Sequence, residues 1–244
     1  MIVLSAGMQK AGSGWFFNLT NDLLIEAGYS NVREVRRKFA LEPILKYYNC
    51  NIESLTFKKY MRVLLPAMYG YTFTIKTHAS PTKFTRVLMR SKVIKATYVF
   101  RDPRDVAVSA FEHGQKIRSE GKNHTFAQLE DMESAVSFAS QLLTTWEGWI
   151  RCNDVLIVRY EDLIANPKSQ LLRLQDFLSI DANSVDLDGI VSRYEPQNLG
   201  AGESGFLHFN RGRAGRFREV MSWQEKNLCV EKFGDYLQRM GYTK

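Results

Sequence analysis

IVLSAGMQKAGSGWFFNLTNDLLIEA, residues 2–27, decides the fold. Ile2–Ala6 is a short apolar run that Gly7 ends. From about Trp15 to Ala27, Phe16, Leu19, Leu23 and Leu24 fall near helical spacing. The stretch therefore reads as strand, glycine-rich turn, helix. Glycines let backbone amides approach a phosphate closely, and a helix start favours negative charge. Lys10 adds a cation inside the turn and Ser13 a hydroxyl. A nucleotide-triphosphatase loop needs Gly-Lys-Ser/Thr after four intervening residues. Here Gly12 is followed by Ser13-Gly14, so the lysine is in the wrong place for that chemistry.

Working outward, Tyr71–Thr77 alternates as a strand does and delivers Lys76 and His78 at its C-terminal end. Val93–Phe100 is a second β-rich run, closed by Arg101-Asp102-Pro103. Asp102 followed by Pro103 marks a helix start, which places Ser109 two turns along. Arginine grips a phosphate bidentately and a hydroxyl adds one donor. This corner is thus a second candidate anion site. Helices are expected within residues 30–70, from about Phe126 to Arg151, after Asn166-Pro167, and from Ser222 to Met240. A strand is expected at Val155–Val158 and a glycine- and arginine-rich loop at 198–216. Strands alternating with helices imply an α/β, P-loop-like fold with a mostly parallel central sheet flanked by helices on both faces. We expect one domain over residues 1–244, with its ligand at the C-terminal strand ends.

The chain has 244 residues, 33 Lys+Arg against 26 Asp+Glu, and a formal charge of +7. That excess suits an anionic ligand, a nucleic acid or an acidic membrane surface without choosing among them. Cys50, Cys152 and Cys229 are odd in number and show no CxxC spacing, so neither a disulfide framework nor a zinc site is suggested. Apolar runs are broken by charges well before the length of a membrane span. A cytoplasmic protein with no membrane partner is the expectation.

Residues 9–15 and 101–109 together resemble the PAPS-dependent sulfotransferase family, whose donor is 3′-phosphoadenosine 5′-phosphosulfate (PAPS). The family's 5′-phosphosulfate loop reads Pro-Lys-Ser-Gly-Thr-Thr-Trp; here it is Gln9-Lys10-Ala11-Gly12-Ser13-Gly14-Trp15. Its 3′-phosphate stretch, Arg-Asn/Asp-Pro-Lys/Arg-Asp-Val-x-x-Ser, is matched from Arg101 to Ser109 without a gap. Lys76-Thr77-His78 resembles the segment carrying the family's catalytic base. Tyr160-Glu161-Asp162-Leu163 resembles the segment whose tyrosine sits by the adenine, and Ser192 and Tyr194 resemble a Thr/Ser-x-Phe pair there. Arg211-Gly212, with Gly215, resembles the Arg-Lys-Gly-x-x-Gly that closes over the 3′-phosphate. Ala11 and Gly14 each lack a family hydroxyl. Asn210 stands where the family has its first arginine, so Arg211 or Arg213 must supply that charge.

The resemblance implies sulfuryl transfer from PAPS to a hydroxyl, or an amine, of a small-molecule acceptor, leaving 3′-phosphoadenosine 5′-phosphate (PAP). His78 is the implied general base, its ordinary pKa lying near neutrality. Lys10 neutralises the leaving phosphate, Ser109 supplies a donor and Lys76 assists near the sulfuryl group. Trp15 would stack on adenine. No metal is required, since Lys and Arg meet the charge. The competing readings are a P-loop small-molecule kinase, a nucleic-acid-binding module and a PAPS-binding protein without catalysis. The acceptor is not readable, nor is the choice between monomer and homodimer.

Overall fold

The computed structural model describes residues 1–195 and 212–243. Among these, six strands form one sheet: β1 (Ile2–Gly7), β2 (Leu45–Lys46), β3 (Asn51–Ile52), β4 (Phe73–Thr77), β5 (Ile94–Phe100) and β6 (Val155–Arg159), in the order β2-β3-β4-β1-β5-β6. All pairings are parallel except β2–β3. The helices that matter most are α1 (Ser13–Glu26), α2 (Val32–Lys38), α3 (Phe57–Met68), α4 (Lys83–Arg90), α5 (Pro103–Ser119) and α6 (Met132–Ile150).

β1 is buried along its whole length, and its alternate residues enter different cores. Ile2, Leu4 and Ala6 join Phe17, Tyr98 and Trp149, whereas Val3 joins Trp15, Phe16, Leu19 and Val99. Helices thus cover both faces. β1 lies between β4 and β5, in register Ser5↔Lys76 on one side and Gly7↔Val99 on the other. The chain passes to one side of β1 for β4 and to the other for β5. The C-terminal edge of β1 is therefore the switch point where such sheets bind ligands.

Three expected elements differ in detail. The helix expected from Phe126 starts at Met132, because Asp131 and Ser134 form a reciprocal capping box there. Residues Thr125–Gln128 make only a 3-10 turn. The closing helix is divided into Trp223–Phe233 and Asp235–Arg239 by Gly234 at φ 45°. Residues 30–70 hold α2 and α3, but also the small β2–β3 hairpin.

Candidate functional site

Three strand ends converge on the switch point, and each delivers one predicted group. β1 runs into the Lys10 turn, β4 into His78 and β5 into Arg101. In the turn Lys10 has φ 64° and Gly12 has φ 72°, so Gly12 turns the chain into α1 at no steric cost. The first helical bond is Phe16 N–H to Gly12 O at 3.0 Å. No side chain caps this helix start, as at helix N-termini where a bound anion takes that place. Gly12 is also required sterically: a Cβ there would lie 2.7 Å from the Tyr160 ring. At Gly14 a Cβ would meet nothing within 4 Å. The missing hydroxyl there leaves open space, not a packing demand.

His78 is oriented by two contacts. Its Nδ1 is 2.6 Å from the Gly7 carbonyl oxygen, which only accepts, so the proton sits on Nδ1. The Nε2 lone pair then receives the Lys76 ammonium at 2.6 Å. Burial, helped by the Lys76 charge, pushes His78 down to about 3 against a smaller upward pull from Gly7. The imidazole is thus neutral at physiological pH, as a base must be. Burial pushes Lys76 down to about 7. Lys10 falls to about 8, by burial first and then by the Arg101 charge, with Glu112 pulling it back up. Its ammonium lies 5.3 Å above the Phe126 ring. Two depressed lysines and a neutral histidine describe a site waiting for negative charge.

These depressions carry a stability signature. The unfolded chain binds a proton at Lys76 where the folded chain does not, so stability should rise with pH between about 7 and 10.5. Lys76→Met is expected to remove that rise. The check is the difference between wild-type and variant urea-unfolding free energies across the window; parallel curves contradict it.

Arg101 is buried and fully engaged on one nitrogen. Its Nη2 donates to Asp105 at 3.0 Å and to the Arg213 carbonyl at 2.8 Å. Its Nε, by contrast, is buried with no acceptor among the described residues. The guanidinium lies 4.5 Å over the Tyr160 ring. Tyr160 therefore touches both anion sites, packing on Gly12 and under Arg101. Ser109 is buried two turns into α5. The pairing of Arg101 with Asp105, which would be a sufficient structural role by itself, thus coexists with a donor left unused.

The closing segment is bolted onto α5. Asp105 accepts from Gly215 N–H at 2.7 Å and from Phe217 N–H at 2.9 Å. Arg104 grips Asp102 bidentately and stacks on Phe217 at 4.0 Å. Gly212 has the left-handed φ of 54°. Arg213, expected to supply the missing charge, directs its guanidinium to Glu219 in an exposed pair, and only its carbonyl reaches Arg101. Arg211 lies outside the described residues. Arg216 is buried and bonds Glu112 through both terminal nitrogens.

The remaining predicted residues are placed as follows. Trp15 and Tyr194 pack in the same apolar cluster, and the Tyr194 hydroxyl donates to Asp22 at 2.7 Å. Ser192 donates to the Gly189 carbonyl at 3.0 Å. Ala11 is buried behind the turn. Sequence reasoning missed Glu112 and Glu161, and with them the second role of Asp105 as acceptor for Gly215 and Phe217. Glu161 accepts from Asp102 N–H and from the Tyr242 hydroxyl, fixing the corner after β5. Its place beside Tyr160 was visible, but its partner 59 residues away was not.

Known proteins resemble this chain in sequence and in fold. The family model described as "Sulfotransferase domain" matches residues 2–204. Sulfotransferase 4A1 of Mus musculus is 24% identical over 174 residues, covering 68% of this chain and 59% of its own. Cytosolic sulfotransferase 10 of Arabidopsis thaliana is 27% identical over 211 residues, covering 75% and 60%. The chain thus spans about three fifths of the length of these curated relatives. The crystal structure of retinol dehydratase with retinol and PAP superposes with TM-score 0.63 at 17% identity, over 100% of this chain and 83% of that one. Mouse sulfotransferase SULT7A1 complexed with PAP gives 0.59 at 16%, over 97% and 84%. These two show the same fold.

Proposed function

Because this chain belongs to the sulfotransferase domain family, we propose that it transfers a sulfuryl group from PAPS to a hydroxyl or amine of a small-molecule acceptor. One observation carries the reading: the Tyr160 ring joins the Gly12 turn to Arg101, so two anion sites share one wall. A doubly phosphorylated nucleotide fits two such sites, and Arg101 Nε has a buried N–H to offer it. In this assignment the α1 start and Lys10 hold the 5′ end, while Arg101 and Ser109 hold the 3′-phosphate. Trp15, Tyr160, Ser192 and Tyr194 flank the adenine, and the Gly212–Arg213 segment closes over the 3′-phosphate. PAPS brings the activated sulfuryl group. His78 takes the acceptor proton, Lys10 meets the charge on the leaving oxygen, and Lys76, released from Nε2, turns to the sulfuryl oxygens. All these parts are assigned to one domain over residues 1–244, acting in the cytoplasm.

A P-loop kinase is disfavoured by the turn itself, whose only lysine precedes Gly12. Thermal unfolding separates the two. Ligand at a hundred times its Kd stabilises by about 2.7 kcal/mol, and each kcal/mol moves the midpoint of a chain this size by roughly 2–4 °C. PAP is expected to raise Tm by about 5–10 °C, and ATP with magnesium to leave it unchanged. The reverse pattern would exclude the PAPS assignment.

A further inference from the structure

Helix α3 turns an apolar face outward. Phe57, Met61, Leu65 and Met68 recur at helical spacing and are 63%, 48%, 44% and 79% exposed. Tyr69, next in the chain, is 71% exposed. The opposite face, with Tyr60, Val63 and Leu64, is buried, so the helix is held to the fold from behind. Water-exposed apolar residues in a continuous stripe mark a contact surface.

Charge indicates what the stripe meets. Lys58 and Arg62 are exposed along its edge, and α3 has no acidic residue. The C-terminal end of α2 lies alongside, with Arg62 reaching the Ala40 carbonyl at 3.5 Å and Phe39 packing on Tyr69. It brings Arg37 and Lys38, also exposed, to the same region. Residues 33–69 hold eight lysines and arginines against three glutamates, which is five of the chain's seven net positive charges. An apolar stripe with a basic rim is the pattern of a helix that lies in a lipid interface.

We propose that α3 docks this protein on an anionic phospholipid surface, with Phe57, Met61, Leu65 and Met68 entering the acyl boundary and the basic rim facing the headgroups. A second copy of the chain fits less well. A two-fold contact through this face would set Lys58 and Arg62 against their own images. The expectation of no membrane partner rested on the lack of a span. Among the described residues no helix is long and apolar enough to cross a bilayer, but a helix lying in the interface does not cross. The docking is independent of the sulfuryl-transfer reading.

Flotation with phosphatidylcholine vesicles, with and without phosphatidylserine, tests this. The full chain is expected to partition onto the phosphatidylserine vesicles at least ~tenfold more strongly, and less so as salt is raised. The variant Phe57→Ser/Met61→Ser/Leu65→Ser keeps every charge and changes only exposed positions. It should lose at least ~tenfold of that binding with Tm and the PAP-induced shift unchanged. Lys58→Glu/Arg62→Glu should lose the preference for phosphatidylserine. Vesicle binding that survives the serine variant would assign the attraction to net charge alone and overturn the proposal. So would absence of wild-type binding, or a solution dimer that the serine variant disperses.

Discussion

Replacing His78 with glutamine is expected to slow sulfuryl transfer by about 10²- to 10⁴-fold, the usual contribution of a positioned general base, with PAP affinity nearly unchanged. Glutamine can still donate to the Gly7 carbonyl, so the turn should keep its shape. The pH profile adds a sharper test. An ordinary histidine becomes protonated below about pH 6.5, whereas His78 is held down to about 3 by burial and by Lys76. The acid side of kcat/KM should therefore stay flat well below pH 6. Single-turnover transfer from labelled PAPS measures both. If His78→Gln turns over at the wild-type rate, the base assignment is wrong, whatever becomes of the nucleotide site.

Lys10→Met should cost about 10²- to 10³-fold in kcat, the scale seen when one preorganised charge partner of a transition state is removed. Its cause lies in the same cation that burial and Arg101 depress to about 8. Below that value the ammonium is charged and effective; above it the charge is lost. Wild-type kcat/KM and PAP affinity should both fall as pH rises past about 8, and Lys10→Arg, charged throughout, should extend activity to higher pH. A Lys10→Met enzyme with undiminished kcat would remove Lys10 from the leaving-group role.

Local signals made the core of the fold legible. The β1–turn–α1 unit, the strands ending at His78 and Arg101, and the Asp102-Pro103 helix start were all written in short, contiguous stretches. The β2–β3 hairpin was not, because the positive-φ positions of its turn fall on Tyr47 and Cys50, neither of them a residue that signals such a turn. The start of α6 was misplaced since Leu129 continues the apolar pattern while Asp131 imposes the cap. At the site, the side chains proposed to meet a ligand sit in short motifs. The contacts that hold them in place do not, because Glu112 meets Arg216 and Asp105 meets Phe217 across more than a hundred residues. Pattern reading within a window sees neither partner.

The Asp105 carboxylate, shared between Arg101, Gly215 and Phe217, sets an order of assembly. During synthesis the Lys10 turn, His78 and Arg101 all leave the ribosome long before Gly215 does. A nascent chain halted at residue 200 would carry every proposed reactive group yet leave this buried anion without two of its three partners. Competence to grip the proposed nucleotide thus arrives only once Gly215 and Phe217 have been made.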